Sequence, residues 1–293
     1  MTASIRALAV LGAGTMGRGI AQVTASAGLS TRMTDAEPAR AAEALASVEA
    51  QLEKRVGRGA MTSEERDRAL ASLRVTGDVR DACEGVDLVI EAVPESMELK
   101  VKLLGEAVLA SPPHALIGSN TSSLSLTELG ARIGAPERTV GLHFFNPAPA
   151  MELLEIVRGL ATTYAAVESA RAFAEHIGKT PIVVRDVPGF ASSRLGVILG
   201  AEAIRMLESG VASAVDIDRA MELGYRHPMG PLKLTDLVGL DVRLAILDHL
   251  HRELGEQFRA PPLLRQMVRA GKLGKKSGEG FYVWKDGVAH PRG

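Results

Sequence analysis

One cysteine, Cys83, stands in 293 residues, which excludes a disulfide framework and any cysteine-only metal cluster and fits a reducing compartment. Aromatic residues make up only 3% of the chain and define no binding pocket. Neither sign of charge is in excess. There are 34 Lys and Arg against 35 Asp and Glu, so composition offers no basic face for nucleic acid. No apolar run approaches the roughly 18–20 residues that span a bilayer. The longest candidates, near Leu8–Gly14 and Gly196–Ile204, are short or broken by charge. The first residues enter a strand-like run without the layout of a signal peptide. The expectation is a soluble, cytoplasmic, globular protein with no nucleic-acid or membrane partner and no metal. What is present is apolar material, 46% of residues, enough for one large domain or two of ordinary size.

The first half alternates short apolar runs with helical stretches. Ile5–Leu11 is continuously apolar, as a strand buried on both faces should be. Ser30–Thr34, Val86–Ile90, Ala115–Gly118 and Thr139–Phe144 read as further strands with helical sequence between them. This alternation predicts a parallel sheet covered on both sides. Residues 38–56 form a long alanine-rich helical stretch ended by Gly57 and Gly59. Thr62-Ser63-Glu64-Glu65 then reads as the capped start of a second helix ending near Leu73. The pair is expected to be an inserted helical hairpin standing off the sheet. After Val187-Pro188-Gly189 the pattern becomes helical, over about 190–209, 215–223, 231–251 and 262–270, with little strand signal until Gly280–Trp284. The fold class predicted is therefore α/β: a Rossmann-type, mostly parallel sheet with an inserted helical hairpin over residues 1–186, followed by an all-α C-terminal domain over 187–293.

Gly12-Ala13-Gly14-Thr15-Met16-Gly17 fits G-x-G-x-x-G, and it follows a buried-type strand and opens a helix, the context that gives the pattern meaning. The first glycine permits the tight turn, the second lets backbone approach a pyrophosphate, and the third lets helix and strand pack closely. The helix N-terminus offers free N–H groups to the phosphates. Asp35 ends the second strand, where an acid hydrogen-bonds the adenine ribose hydroxyls and repels a 2′-phosphate. NAD is thus favoured over NADP, with Arg32 and Arg40 close by in sequence. The alternative is a glycine turn with no ligand and a surface aspartate.

His143, in Leu142-His143-Phe144-Phe145-Asn146-Pro147, ends an apolar strand, and the C-terminal ends of parallel strands are where α/β folds bind ligands. A lone histidine there is as readily a satisfied core residue. Glu155 sits inside Leu153-Leu154-Glu155-Ile156-Val157, which otherwise reads as a buried strand, and a buried carboxylate is costly unless paired. If the Asn146–Ala150 loop returns this strand alongside the first, Glu155 reaches the His143 ring, fixes its tautomer and leaves the other nitrogen as a base. Otherwise Glu155 faces water from a half-solvated strand. Ser119-Asn120-Thr121-Ser122-Ser123 follows another strand, and its polar groups could hold a substrate oxygen. Ser123 or Ser125 could equally cap the next helix.

Taken together these segments resemble the L-3-hydroxyacyl-CoA dehydrogenase family, and more closely its single-function bacterial 3-hydroxybutyryl-CoA dehydrogenases. The matching pieces are LGAGTMGRGIAQ from Leu11, IEAVPESMELK from Ile90, SNTSSLSLTEL from Ser119, GLHFFNPAPAMELLEIV from Gly141, VPGF from Val187, YRHPMGPLKLTDLVGLD from Tyr225 and GKKSGEGFY from Gly274. HFFNP and GKKSGEGFY are far more specific than the glycine fingerprint. The resemblance implies NAD as cofactor and an acyl-CoA as substrate, with His143 as catalytic base and Glu155 orienting it. It implies that Ser122 holds the substrate oxygen and that Asn146 shapes the same pocket. Glu95, Lys100 and Asn120 would line the NAD site, and Lys276 would reach the cofactor from the helical domain. The helical hairpin would correspond to a CoA-contacting arm, with Arg55 and Arg58 as candidate phosphate contacts. A homodimer and a stand-alone dehydrogenase are implied as well.

One departure stands out. After Pro188-Gly189-Phe190 the family usually has an asparagine just before Arg194 and Leu195, and this chain has Ser193. Serine keeps a hydroxyl donor near the reacting carbonyl but is shorter and lacks the amide's second group. Two rival readings follow: a dehydrogenase of a non-CoA hydroxy or sugar acid on the same scaffold, and an NAD-binding protein without catalysis.

Overall fold

The computed structural model describes residues 5–292, and the chain divides between Val187 and Pro188 into two compact units. In the first, β1 (Ala7–Leu11), α1 (Thr15–Ser26), β2 (Ser30–Thr34), α2 (Pro38–Gly57), α3 (Ser63–Ala71), β3 (Leu73–Val75), α4 (Val79–Cys83), β4 (Leu88–Glu91), α5 (Met97–Ala110), β5 (Leu116–Ser119), α6 (Leu126–Arg132), β6 (Thr139–Phe144), β7 (Leu153–Arg158), α7 (Tyr164–His176) and β8 (Thr180–Arg185) follow in order. The sheet order is β3-β2-β1-β4-β5-β6-β7-β8. β1 to β6 run parallel, β7 turns back antiparallel to β6, and β8 runs parallel to β7. The first six strands follow the doubly wound order, with the reversal between β1 and β4. β1 is apolar along its length and β4 is apolar up to its last residue, Glu91, because helices cover both faces; Leu8–Leu11 and Leu88–Ile90 have no exposed surface.

Two elements depart from the expected pattern. The second hairpin helix stops at Ala71, and Leu73–Val75 forms a short edge strand on β2. The hairpin does not stand off the sheet. Ala41, Ala44, Val48 and Leu52 of α2 fall on one helical stripe and enter the same core as Ile20 of α1 and Ala69 of α3. The start of α3 carries the expected reciprocal cap: Thr62 Oγ1 accepts from Glu65 N at 3.1 Å, and Glu65 Oε2 accepts from Thr62 N at 2.8 Å.

The second unit contains α8 (Ser192–Glu208), α9 (Ala214–Gly224), α10 (Pro231–Val238), α11 (Leu240–Leu254), α12 (Pro262–Arg269) and a small hairpin of β9 (Val283–Lys285) and β10 (Val288–His290). The single helix expected over 231–251 is two, because Gly239 takes a φ of 105° that ends α10 and starts α11. Two carboxylates with no exposed surface lock this unit. Asp218 of α9 accepts from Leu232 N at 2.8 Å and Lys233 N at 3.0 Å, capping α10, and from the Tyr282 hydroxyl at 2.8 Å. Asp236 of α10 accepts from Phe281 N, Tyr282 N and Trp284 Nε1 at 2.8–2.9 Å. Burial pushes both carboxyls above the usual aspartate range, against the pull of these hydrogen bonds. The GPLKLTD and GKKSGEGFY stretches are thus partners in one latch.

That latch requires bare backbone. A Cβ on Gly280 would lie 2.1 Å from Asp236 Oδ1, an atom that cannot shift without giving up the Phe281 bond. Gly280→Ala is expected to destabilise the protein by about 3 kcal/mol, summing overpacking and a lost charge-assisted bond. Gly224→Ala, where a Cβ meets nothing within 4 Å, is the matched control. Chemical denaturation of the two variants checks this; equal midpoints would refute the latch.

Candidate active site

The glycine turn occupies the carboxyl end of β1. Gly12 takes a φ of 105° and donates its N–H to Thr34 O at 2.8 Å, closing the turn against β2. A Cβ on Gly17 would fall 1.8 Å from Gly12 O, so α1 can begin this close to β1 only with glycine there. Space above Gly14 is open within 4 Å, and Gly14 precedes α1 with no side-chain cap. The first N–H groups of α1 are therefore available to an anionic ligand. Gly12, Gly14, Thr15, Met16 and Asp35 line one groove of about 800 Å³ outside the β1–β4 reversal.

Asp35 holds that turn directly: Oδ2 accepts from Ala13 N at 2.7 Å and Oδ1 from Glu37 N at 3.0 Å. Remaining lone pairs suit ribose hydroxyls, and the charge opposes a 2′-phosphate. Arg32 does not offset it, because its Nη1 donates to Asp81 O and Glu84 O at the end of α4. Arg40 does line the groove, where Glu37 Oε1 engages it at 2.9 Å. Leu99, Lys102 and Leu103 of α5 also line the groove and were not singled out from the sequence, although their i, i+3, i+4 spacing marks one helical face.

Lys100, expected to line the cofactor site, does not face that groove. It is 1% exposed, and its ammonium lies 2.7 and 2.8 Å from the oxygens of fully buried Glu91 and 3.3 Å from Glu95 Oε2. Ser119 Oγ also donates to Glu91, and Val93 N does so at 3.1 Å. Glu95 gathers the loop after β5, accepting from Thr121 Oγ1 at 2.6 Å, Ser122 N at 3.0 Å and Ser123 Oγ at 3.0 Å. Burial alone would raise the Glu95 carboxyl, but the Lys100 charge and these hydrogen bonds outweigh it and hold it below the usual range. Lys100 is thus a positioning residue for two ligand-end loops. Ser125 caps α6 by accepting from Glu128 N at 3.2 Å, and Ser123 is spent on Glu95. The Ser122 hydroxyl makes no hydrogen bond among the described residues.

His143 and Glu155 are directly opposite in the β6–β7 register. The loop from 145 to 152 reverses the chain, and adjacent strands then bring the two side chains to one face. His143 Nδ1 lies 2.7 Å from Glu155 Oε2. Glu155 has no exposed surface and His143 has 7%. A carboxylate accepts, so Nδ1 carries the shared proton and Nε2 has a lone pair for a base. The Phe145 ring leans on the imidazole, 4.5 Å between centroids. Asn120 Oδ1 accepts from Phe144 N at 3.0 Å, tying the β5 and β6 tips together. Asn146 follows at the exposed end of β6.

The two residues expected at CoA phosphates lie away from the groove that Gly12 and Asp35 line. Arg55 and Arg58 are exposed at the far end of α2, about 25 Å along the helix axis from its start beside Asp35. Arg55 borders a separate cavity with Ser26, Met61 and Arg68. In the second unit, Ser193 is half-buried in the first turn of α8. Lys276 pairs with Asp241 at 2.6 Å. Among the described residues no group of three His, Cys, Asp or Glu could hold a metal ion, and no helix is long and apolar enough to cross a membrane.

Residues 7–187 match the NAD-binding domain of 3-hydroxyacyl-CoA dehydrogenase, and residues 189–284 match its C-terminal domain. The chain belongs to the 3-hydroxyacyl-CoA dehydrogenase family. Within it, the chain is 43% identical over 283 residues to a probable 3-hydroxybutyryl-CoA dehydrogenase of Bacillus subtilis, covering 96% of this chain and 98% of that one. The crystal structure of an (S)-3-hydroxybutyryl-CoA dehydrogenase from Ralstonia eutropha superposes with a TM-score of 0.93 at 39% identity, covering 97% of this chain and all of the other. A 3-hydroxyadipyl-CoA dehydrogenase of Escherichia coli is 41% identical over 97% of this chain and 60% of its own length. The fold resemblance to the family holds across the sheet and the helical unit, and the NAD-binding assignment agrees with the glycine turn and Asp35.

Proposed function

We propose that the protein is an NAD-dependent dehydrogenase that reversibly oxidises an L-3-hydroxyacyl-CoA, 3-hydroxybutyryl-CoA first among them, to the 3-ketoacyl-CoA. The observation that carries this reading is the His143–Glu155 pair, a buried carboxylate fixing an imidazole at the ligand end of a strand in an NAD-binding fold. His143 Nε2 takes the proton of the 3-hydroxyl as the carbonyl forms, and Glu155 stabilises the resulting imidazolium. The nicotinamide supplies the acceptor for the hydride released from C3. Gly12, Gly14, Thr15, Met16, Gly17 and Asp35 hold the dinucleotide. Glu95, Lys100 and Asn120 set the loops around it. Ser122 and Asn146 hold the substrate oxygen and shape its pocket, Lys276 approaches the cofactor, and Arg55 and Arg58 contact CoA phosphates. The second unit supplies substrate-binding residues and a dimer face: Leu195, Leu223 and Tyr225 are all more than two-thirds exposed there. A cytoplasmic homodimer completes the reading.

NADH consumption is the test. Acetoacetyl-CoA is reduced with NADH in preference to NADPH, and free acetoacetate is not. Equal activity on the free acid would favour the hydroxy-acid rival instead. Ser193→Asn, which restores the amide common in the family, is expected to raise kcat/KM on acetoacetyl-CoA about tenfold, a fraction of the 10²–10³ that a whole transition-state donor is worth. An unchanged value removes Ser193 from the substrate's contacts.

A further inference from the structure

Lys179, just before β8, is a buried cation outside the machinery described so far. It is 8% exposed and makes no ion pair within 4.0 Å among the described residues. Burial pulls its pKa below the usual lysine range, and the Glu152 charge only partly offsets this. Such a cation is costly unless its donors are used. Here Nζ donates to two backbone carbonyls, Ala148 O at 2.8 Å and Met151 O at 2.6 Å. Neither carbonyl accepts another hydrogen bond among the described residues. An ammonium carries its donors on one atom, so a single side chain can bond both. Both carbonyls belong to the segment joining β6 to β7, between His143 and Glu155. Lys179 is itself fixed: its N–H donates to Ala174 O of α7 at 2.8 Å, and the neighbouring Thr180 N donates to Glu152 O at 2.8 Å.

The segment has little else to hold it. Asn146, Pro147, Pro149, Ala150 and Met151 are exposed, and only Ala148 is buried. Ala150 N and Met151 N close a turn onto Pro147 O at 3.0 and 3.1 Å. The Ala148 methyl rests on α1, where a Cβ on Gly19 would lie 3.2 Å from it and 3.4 Å from Pro149 Cδ. Gly19 lies beyond the glycine fingerprint, one turn after Thr15 on the same face of α1. The inner side of the loop is therefore held at two points, the bare second turn of α1 and the Lys179 ammonium. The Asn146 side chain makes no hydrogen bond among the described residues, so its place is set by the backbone that carries it.

We propose that Lys179 is a positioning residue for the reaction: through the Ala148 and Met151 carbonyls it clamps the segment 146–151 onto α1 and so fixes where Asn146 meets the substrate. This rests on the dehydrogenase reading above and adds a residue to it. The clamp also explains Gly19, since any side chain there would push the loop off the helix that begins the dinucleotide turn.

Lys179→Met keeps the apolar stem and removes the donors. It is expected to lower kcat/KM on acetoacetyl-CoA about 10–100-fold, as misplacement by an ångström does, with the NADH dissociation constant held within about twofold. A residue acting through Asn146 should cost less than about threefold once Asn146→Ala is in place. A loss in that background as large as in the wild-type protein overturns the proposal. Gly19→Ala reaches the loop from the other side and covers the case of a Lys179→Met protein that does not fold. Alanine is the better helix former, so a loss there comes from the loop contact. A fall in kcat/KM of about fivefold is expected, returning to within about twofold when Ala148→Gly makes room. A loss that Ala148→Gly leaves in place refutes the seat on α1. Hydrogen exchange gives a readout independent of turnover. In Lys179→Met the Ala150 and Met151 amides should exchange roughly tenfold faster while those of β6 are unchanged. That result in a protein that does not reduce acetoacetyl-CoA keeps the clamp and sinks the dehydrogenase reading alone. Unchanged exchange at both amides refutes the clamp whatever the turnover.

Discussion

His143→Gln is expected to reduce kcat on acetoacetyl-CoA about 10³–10⁴-fold while NADH still binds. Glutamine approximates the size of the ring and can donate an amide N–H to Glu155, but it stays neutral and can neither take nor return a proton at the position of Nε2. In the proposed reading cofactor binding depends on the glycine turn and Asp35, which line a groove built from other elements of the same unit. Glu155→Gln should cost somewhat less, because the imidazole survives but its tautomer and its charged form lose their support. NADH fluorescence titration alongside steady-state rates separates the two effects. A His143→Gln protein that binds NADH and turns over at more than a tenth of the wild-type rate would end the claim that this histidine is the base. If both proteins bind NADH and neither turns over, the chain is a dinucleotide-binding protein rather than an enzyme.

The largest stability effect is expected at Lys100→Met. The ammonium is enclosed by Glu91 and Glu95, and removing it leaves the Glu91 carboxylate buried without a counter-charge. Breaking one side of such a pair costs about 3–5 kcal/mol. For a unit of this size that corresponds to a melting temperature lower by roughly 10 °C or more. Glu95 would also lose the charge that holds it ionised, so the loop carrying Ser122 should loosen and KM should rise together with the loss of stability. Replacing both partners, Glu91→Leu with Lys100→Met, should recover much of the stability, since an apolar pair leaves no uncompensated charge. Activity should not recover with it, because nothing then holds Glu95. Thermal melts of the single and double variants decide this. A Lys100→Met protein as stable as the wild type would return the lysine to the cofactor groove.

Much of the fold can be read from residue order, for reasons visible at particular elements. Ser30–Thr34 and Thr139–Phe144 fall at the bounds read from the sequence, as short strand runs between helical stretches, and the Thr62–Glu65 cap is a local interaction that needs no tertiary context. Leu73–Val75 was invisible because three residues of ordinary composition become a strand only when β2 offers an edge. Thr180–Arg185 has the same difficulty: it is an outer strand, with one neighbour and half-exposed side chains. The break at Gly239 was hidden by helical periodicity that continues on both sides of it.

At the site, a glutamate amid Leu154, Ile156 and Val157 announced that it needed a partner, because a carboxylate in an apolar strand is too costly to leave alone. Sequence alone thus determined the chemistry on offer: a phosphate-cradling turn with its acid, a histidine at a strand end and a buried acid requiring a counterpart. Register across β6 and β7 decided that the counterpart is His143. Tertiary packing also turned Lys100 inward to an internal ion pair. The physical reason is common to both. A residue's type fixes what it can bond, but whether water, a counter-charge or nothing surrounds it is settled only when distant segments close over it.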